Sequence, residues 1–158
     1  MTASQLDILT GTDGPERLPV DPARMRRYQI VPVPKPRMTQ RDKWQMRPAV
    51  LRYRAFCDQV RALGVELRPT GDRVIFILPM PPSWPKKKRA QMLGKPHQGK
   101  PDCDNIFKSL GDAIFADDSH LYHFEPLKFW GEAGEIIIER GREALLWDGD
   151  RVIWSKNC

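Results

Sequence analysis

Five aspartates fall within the seventeen residues from Asp102 to Asp118 of the stretch G-K-P-D-C-D-N-I-F-K-S-L-G-D-A-I-F-A-D-D-S-H-L, with Lys108 as the one cation among them. Carboxylates packed this densely repel one another, so either their pKa values rise or a cation sits between them. Their oxygens are hard donors without a zinc-type histidine–cysteine set, which favours magnesium or manganese. The D-x-D-N spacing lacks the D-x-[DN]-x-[DN]-G order of a calcium loop. Directly upstream, S-W-P-K-K-K-R-A-Q-M-L-G-K-P-H-Q-G-K carries Lys86, Lys87, Lys88, Arg89, Lys95 and Lys100 and no acid. A divalent ion held by two or three aspartates beside lysines is the equipment of phosphodiester hydrolysis. The ion polarises a phosphoryl oxygen and lowers the pKa of an attacking water, and a lysine steadies the charge that develops in the transition state. On this reading Lys86, Lys87, Lys88, Arg89 and Lys100 hold a polyanion, and the acidic run holds the ion that cuts it.

Each feature also has an ordinary structural explanation. Asp104 could be only an N-cap, Lys108 only its ion-pair partner, Asp117 and Asp118 only a polar turn, and Lys86–Arg89 only a solvated face. His120 and His123, with Cys103 nearby in sequence, form a competing zinc set. They lie three apart on an expected strand and so face opposite sides. Cys103, between two aspartates, is a poor nucleophile because neighbouring negative charge raises a thiol pKa. Trp44, Trp84 and Trp130 could stack on bases, although packing is the commoner use of such side chains.

The elements that must position these residues follow from periodicity. From Asp104 to Phe115 a turn of about 100° per residue gathers Ile106, Phe107, Leu110, Ala113 and Ile114 on one side. Asp104, Asn105, Lys108, Ser109, Gly111 and Asp112 take the other, the pattern of a helix lying on a sheet. Asp104, Lys108 and Asp112 stand one turn apart and point the same way, and Asp102 and Asp104 stand where carboxylates cap free N–H groups. A second helix starts at Pro48 and closes at Gly64, with Val50, Tyr53, Cys57 and Val60 as its apolar stripe, flanked by Ala49, Phe56 and Leu63. A short basic helix starts at Pro85, near a cap at Ser83 or Trp84, and stops at Gly94. Strands are expected at 27–33, at 73–79, at 121–130 and at 135–140, the last two joined through Gly131–Gly134 as a hairpin. Pro32, Pro34 and Pro36 fix an extended segment after the first strand.

The whole is expected to be a mixed α/β single domain: one mixed sheet of about four strands, two main helices and a short basic one. Residues 1–25 read as a flexible arm, 26–140 as the folded domain and 141–158 as a tail, with Trp147, Val152 and Trp154, packed on the domain or on a dimer partner. A length of 158 residues, 41% hydrophobic and 29% charged, fits one globular core. The longest apolar runs, Val74–Leu78 and Ile136–Ile138, are too short to span a bilayer. No secretory leader is evident, and three cysteines make no disulfide framework, so a cytoplasmic location is expected. A net charge of +6 suits a polyanionic partner.

The segment G-K-P-D-C-D-N-I-F-K-S-L-G-D-A-I followed by D-D-S-H-L closely resembles the signature of the RusA family of Holliday junction resolvases, K-P-D-x-D-N-[LI]-x-K-x-x-x-D-A-[LI] and then D-D-x-x-[VI]. M-P-P-S-W-P-K-K-K-R, G-K-P-H and P-K-P-R-M-T are similar to the phage and prophage branch of that family. The likeness spans roughly Ile30 to Glu139. It implies that Asp102, Asp104 and Asp118 bind magnesium, for which manganese can substitute, and that Lys108 assists catalysis. Asp112 matches a supporting position, and between Asp117 and Asp118 the later aspartate matches the ligand. It further implies a homodimer that cuts four-way DNA junctions, since a two-fold symmetric substrate cut on two strands calls for two symmetric carboxylate sets. Two departures stand out: the link I-F-A before D-D-S is shorter than usual, and His120 replaces the usual Gln. A DNA-binding relative with a degenerate metal site is the alternative. A nuclease acting on other branched DNA or on RNA is a further one.

Overall fold

In the computed structural model, residues 22–140 are described; the bulk of the expected arm and the whole tail, with Trp147, Val152 and Trp154, lie outside the described residues. Pro22–Arg24 form a 3-10 turn that leads into β1 (Met25–Tyr28). There follow α1 (Pro48–Ala62), β2 (Thr70–Pro79), α2 (Lys86–Met92), α3 (Cys103–Ile114), β3 (His123–Gly131) and β4 (Glu135–Glu139). Two further 3-10 turns, Gln40–Lys43 and Asp118–His120, precede α1 and β3. Among the described residues this is one four-stranded mixed sheet with three α-helices, as the sequence led us to expect. The first strand is shorter than the expected 27–33. After Tyr28 the proline-rich chain stays extended without a ladder, because each proline removes a donor.

The strand order is β1-β4-β2-β3. β4 pairs antiparallel with both β1 and β2, through Arg27↔Ile137 and Ile75↔Ile137, whereas β2 and β3 run parallel. The expected hairpin between 121–130 and 135–140 is therefore not formed. The two strands are consecutive and antiparallel, but β2 lies between them and takes the hydrogen bonds of both. The turn joining them crosses the end of β2 and presses on Val31. A Cβ on Gly134 would sit 2.5 Å from the Val31 Cα, so only glycine fits there.

This topology explains why V-I-F-I-L and I-I-I are apolar without alternation. β2 and β4 are interior strands with apolar cover on both faces. On one face Val74, Phe76, Leu78, Ile136 and Ile138 meet Phe56, Cys57 and Val60 of α1 and Ile106, Phe107, Leu110 and Ala113 of α3. On the other, Ile75, Ile77 and Ile137 pack with Met25, Leu127 and Phe129. Burial of each such large side chain contributes roughly 1.5–3 kcal/mol.

α1 buries Val50, Cys57 and Val60 of its expected stripe, with Tyr53 only half-buried; of the expected flanking residues Phe56 is buried and Leu63 is exposed. Beyond its end Gly64 takes φ +63, the left-handed turn that terminates it. α3 is covered more widely than its sequence suggests. Ser109 and Gly111, assigned to the polar side, are buried, because the helix lies against α1 as well as the sheet.

Candidate active site

α3 presents its acids along one edge. Asp102 occupies the N-cap position with extended backbone, Asp104 lies in the first turn, and Lys108 and Asp112 follow one and two turns later. The expected capping bond is not made: the Asp102 side chain accepts no hydrogen bond from the free N–H groups of the helix. What holds this end is a lysine that no motif or periodicity singles out. Lys128, on β3, donates to the carbonyls of Gly99 and Pro101, the latter at 2.6 Å, and so ties the loop before Asp102 to the sheet edge. His97 reinforces the tie, its backbone N–H bonding the Lys128 carbonyl at 3.1 Å.

Asp112 is neutralised from outside its own helix. Lys35 stands 2.5 Å from its Oδ2, and the Tyr53 hydroxyl donates to the same oxygen at 3.0 Å. The sequence had aligned Asp112 only with Lys108; its actual partners come from the proline-rich segment and from α1. Burial, then the nearby Cys57 and Asp112, pushes the Tyr53 phenol well above its ordinary pKa, so it stays a donor.

The two adjacent aspartates divide their work. Asp117 accepts from the Ser119 backbone N–H at 2.9 Å, and that bond holds its carboxyl below the usual range. Asp118 opens the 3-10 turn with its carboxylate unpaired. Among the described residues Asp102, Asp104 and Asp118 make no side-chain hydrogen bond or ion pair. Every other described acid except Glu132 has such a partner. The carboxylates left open among the described residues are thus Glu132, in the turn between β3 and β4, and the three nominated as ligands. Yet no three His, Cys, Asp or Glu side chains among the described residues converge closely enough to hold one ion.

The other nominated residues separate into structural and available groups. Arg89 donates to the Pro81 carbonyl at 3.0 Å and fastens α2 to the end of β2. Lys88 lies 4.1 Å above the Trp84 ring, a cation–π contact. Trp84 in turn packs against Trp130, and Trp130 against the buried His97. Lys86, Lys87 and Lys100 remain exposed. α2 begins after Pro85 rather than capping on Ser83 or Trp84. Trp44 is 90% exposed and packs on nothing described. His120 ends a 3-10 turn and His123 begins β3, so the two do not share a strand as expected. Burial, with the neighbouring Asp104, raises the Cys103 thiol, in keeping with its poor prospects as a nucleophile.

A cleft of about 500 Å³ lies between α3 and the extended segment, lined by Lys35, Pro36, Arg37, Met38, Asn105 and Lys108. Its outer wall is fixed by Asp42, a residue in an aperiodic stretch that no sequence motif marks. This buried carboxylate accepts from the Thr39 N–H and hydroxyl at 2.6 and 2.9 Å and from two Arg47 nitrogens at 2.7 and 2.8 Å. Those bonds hold its carboxyl well below the usual carboxylate range, Arg47 contributing most. Arg47 also donates to the Arg37 carbonyl at 2.7 Å, passing the rigidity to the wall itself.

No helix among the described residues is long and apolar enough to cross a membrane. No curated protein and no solved structure matches the chain. The family model described as Endodeoxyribonuclease RusA matches residues 27–139, well over half of the chain, from the second half of β1 to the end of β4. The chain belongs to the RusA family of endodeoxyribonucleases.

Proposed function

We propose that this protein is a magnesium-dependent, structure-selective endonuclease that resolves four-way DNA junctions by paired symmetric cuts, in recombination and repair. It acts as a homodimer in the cytoplasm. The observation that carries the reading is the set of three unpaired carboxylates, Asp102, Asp104 and Asp118, around one helix whose next turn supplies Lys108.

By donor chemistry these side chains suit a hard divalent ion, manganese substituting for magnesium. Magnesium is commonly held by one or two carboxylates, with waters and substrate phosphates completing its shell, so a preformed cage of three is not required. Asp102 and Asp104 would hold the ion at the N-terminal end of α3, with Asp118 contributed by the turn after it. When bound, the ion supplies a polarised phosphoryl oxygen and an acidified water. Lys108 steadies the developing phosphate charge. Lys128 keeps the Asp102 loop on the sheet edge, and Lys86, Lys87 and Lys100 offer exposed cations to the DNA backbone. A two-fold dimer presents one such set to each of two opposed strands.

One observation favours a second reading, a DNA-binding relative without catalysis: no three candidate ligands converge among the described residues. Labelled four-way junctions incubated with the protein and magnesium separate the two. Paired symmetric nicks that a chelator stops and manganese restores are expected. Binding without cleavage at any divalent ion would leave only the second reading standing.

A further inference from the structure

We propose that the cleft between α3 and the Lys35–Met38 segment is a phosphate site. It would grip one backbone phosphate of the DNA through Arg37, alongside Lys108 and the Asn105 amide. The inference rests on the reading of the protein as a DNA endonuclease, and adds a contact that the carboxylate set does not contain.

Three features of the cleft point to an anion. First, it brings three cations, Lys35, Arg37 and Lys108, to one place without an acid in its lining. Like charges gathered in a cleft repel unless an anion joins them. Second, only one of the three is spent inside the protein. Lys35 is bound to Asp112, whereas the side chains of Arg37 and Lys108 have no described partner. A guanidinium offers five N–H groups in a planar fork that matches phosphate oxygens. An arginine left open beside a lysine and an amide therefore offers a bidentate grip on one phosphate.

Third, both ends of the segment are anchored to fixed parts of the fold. At Lys35 the side chain is clamped by Asp112, and the backbone N–H reaches the Asn105 carbonyl at 3.4 Å. At Arg37 the carbonyl is held by Arg47, itself locked by the buried Asp42. The cation is thus presented on a preorganised backbone, which lowers the ordering cost of binding. Asp112 and Asp42 are positioning residues here: neither touches the phosphate, and each fixes one end of the wall that does. The same helix that carries Asp104 supplies Lys108 to the cleft, so a phosphate gripped there sets the register of the strand that reaches the carboxylates.

The test uses the full-length protein and a synthetic four-way junction, with binding followed against salt in the absence of divalent ions so that nothing is cut. Arg37 is exposed, so its replacement leaves the fold intact, and circular dichroism checks this. Arg37→Ala is expected to weaken binding several-fold and to shrink the slope of log affinity against log salt by about 1, the value for one lost phosphate contact. Arg37→Lys should keep the slope. Arg52→Ala, which removes an exposed charge from α1 outside the cleft, should match the wild type. An Arg37→Ala slope equal to wild type, or an Arg52→Ala loss as large, overturns the site while wild-type junction cleavage leaves the nuclease reading standing. A wild type that neither binds nor cuts the junction sinks both.

Discussion

At Asp42 a buried carboxylate takes four hydrogen bonds, two from Thr39 and two from Arg47. At the foot of α3, Asp102 and Asp104 take none from the described side chains, and neither does Asp118 one loop later. Both regions lie beside the same cleft, yet one is saturated and the other is left open. A protein that pairs most of its described acids has the means to pair these too. Leaving three negative groups close in sequence without a counter-charge costs stability through repulsion, and that cost is understandable where an external cation or substrate supplies the balance. The Asp42 corner holds the chain, and on the proposed reading Asp102, Asp104 and Asp118 are left open for an external cation.

The contrast is broken most directly by removing one open acid. Asp104→Asn is expected to lower junction cleavage by on the order of 10²–10³-fold, the scale of losing one electrostatic element at a reacting centre. Its melting temperature should not fall, because no intramolecular bond is lost. A substantial loss of melting temperature with cleavage intact would reverse the assignment. The opposite face of the same helix should behave in the opposite way. Leu110→Ala empties a fully buried site and should cost about 2–5 kcal/mol in denaturant unfolding, while cleavage per folded molecule stays near wild type.

Asp42→Asn should lower the melting temperature and, with it, the acid sensitivity of the fold. The Asp42 carboxyl is depressed in the folded state, so its contribution is full above the unfolded aspartate pKa of about 3.9 and fades as pH falls below that. The wild type should therefore lose stability on acidification below about pH 4 more steeply than the variant, as thermal melts at graded pH would read. The smallest effect belongs to Asp117, the first of the adjacent pair. Asp117→Asn keeps an acceptor for the Ser119 N–H and should cut junctions nearly as the wild type does. Asp118→Asn should be strongly impaired. Equal rates for the two would erase the division seen between them.

Much of this frame was legible before any coordinates. The 3.6-residue recurrence of Ile106, Phe107, Leu110 and Ala113 placed α3, the Pro48-to-Gly64 stripe placed α1, and the unbroken apolar run at Val74–Leu78 announced an interior strand. The hairpin was misjudged because Gly131–Gly134 marks a reversal of the chain, and a reversal looks the same whether the two strands pair or admit a third. Nothing local signals that β2 fills the gap. The partners of Asp112 were invisible for a similar reason: Lys35 and Tyr53 are distant in sequence, and helical spacing reports only neighbours on the same helix. Asp42, Arg47 and Lys128 were missed because they sit in or bond to aperiodic loops, where a charge that organises the backbone looks like any solvated charge.

The order β1-β4-β2-β3 has a bearing on how the molecule comes into being. β4 is the last of the described strands to be synthesised, and it is the strand that joins β1 to β2, which otherwise pairs only with β3. A nascent chain that has not yet released Glu139 from the ribosome has its first two strands with no common partner, and α1 and α3 with half a sheet to rest on. A product that stops before β4 therefore keeps β2 beside β3 but has nothing to hold β1, and the apolar faces of α1 and α3 lose Ile136 and Ile138.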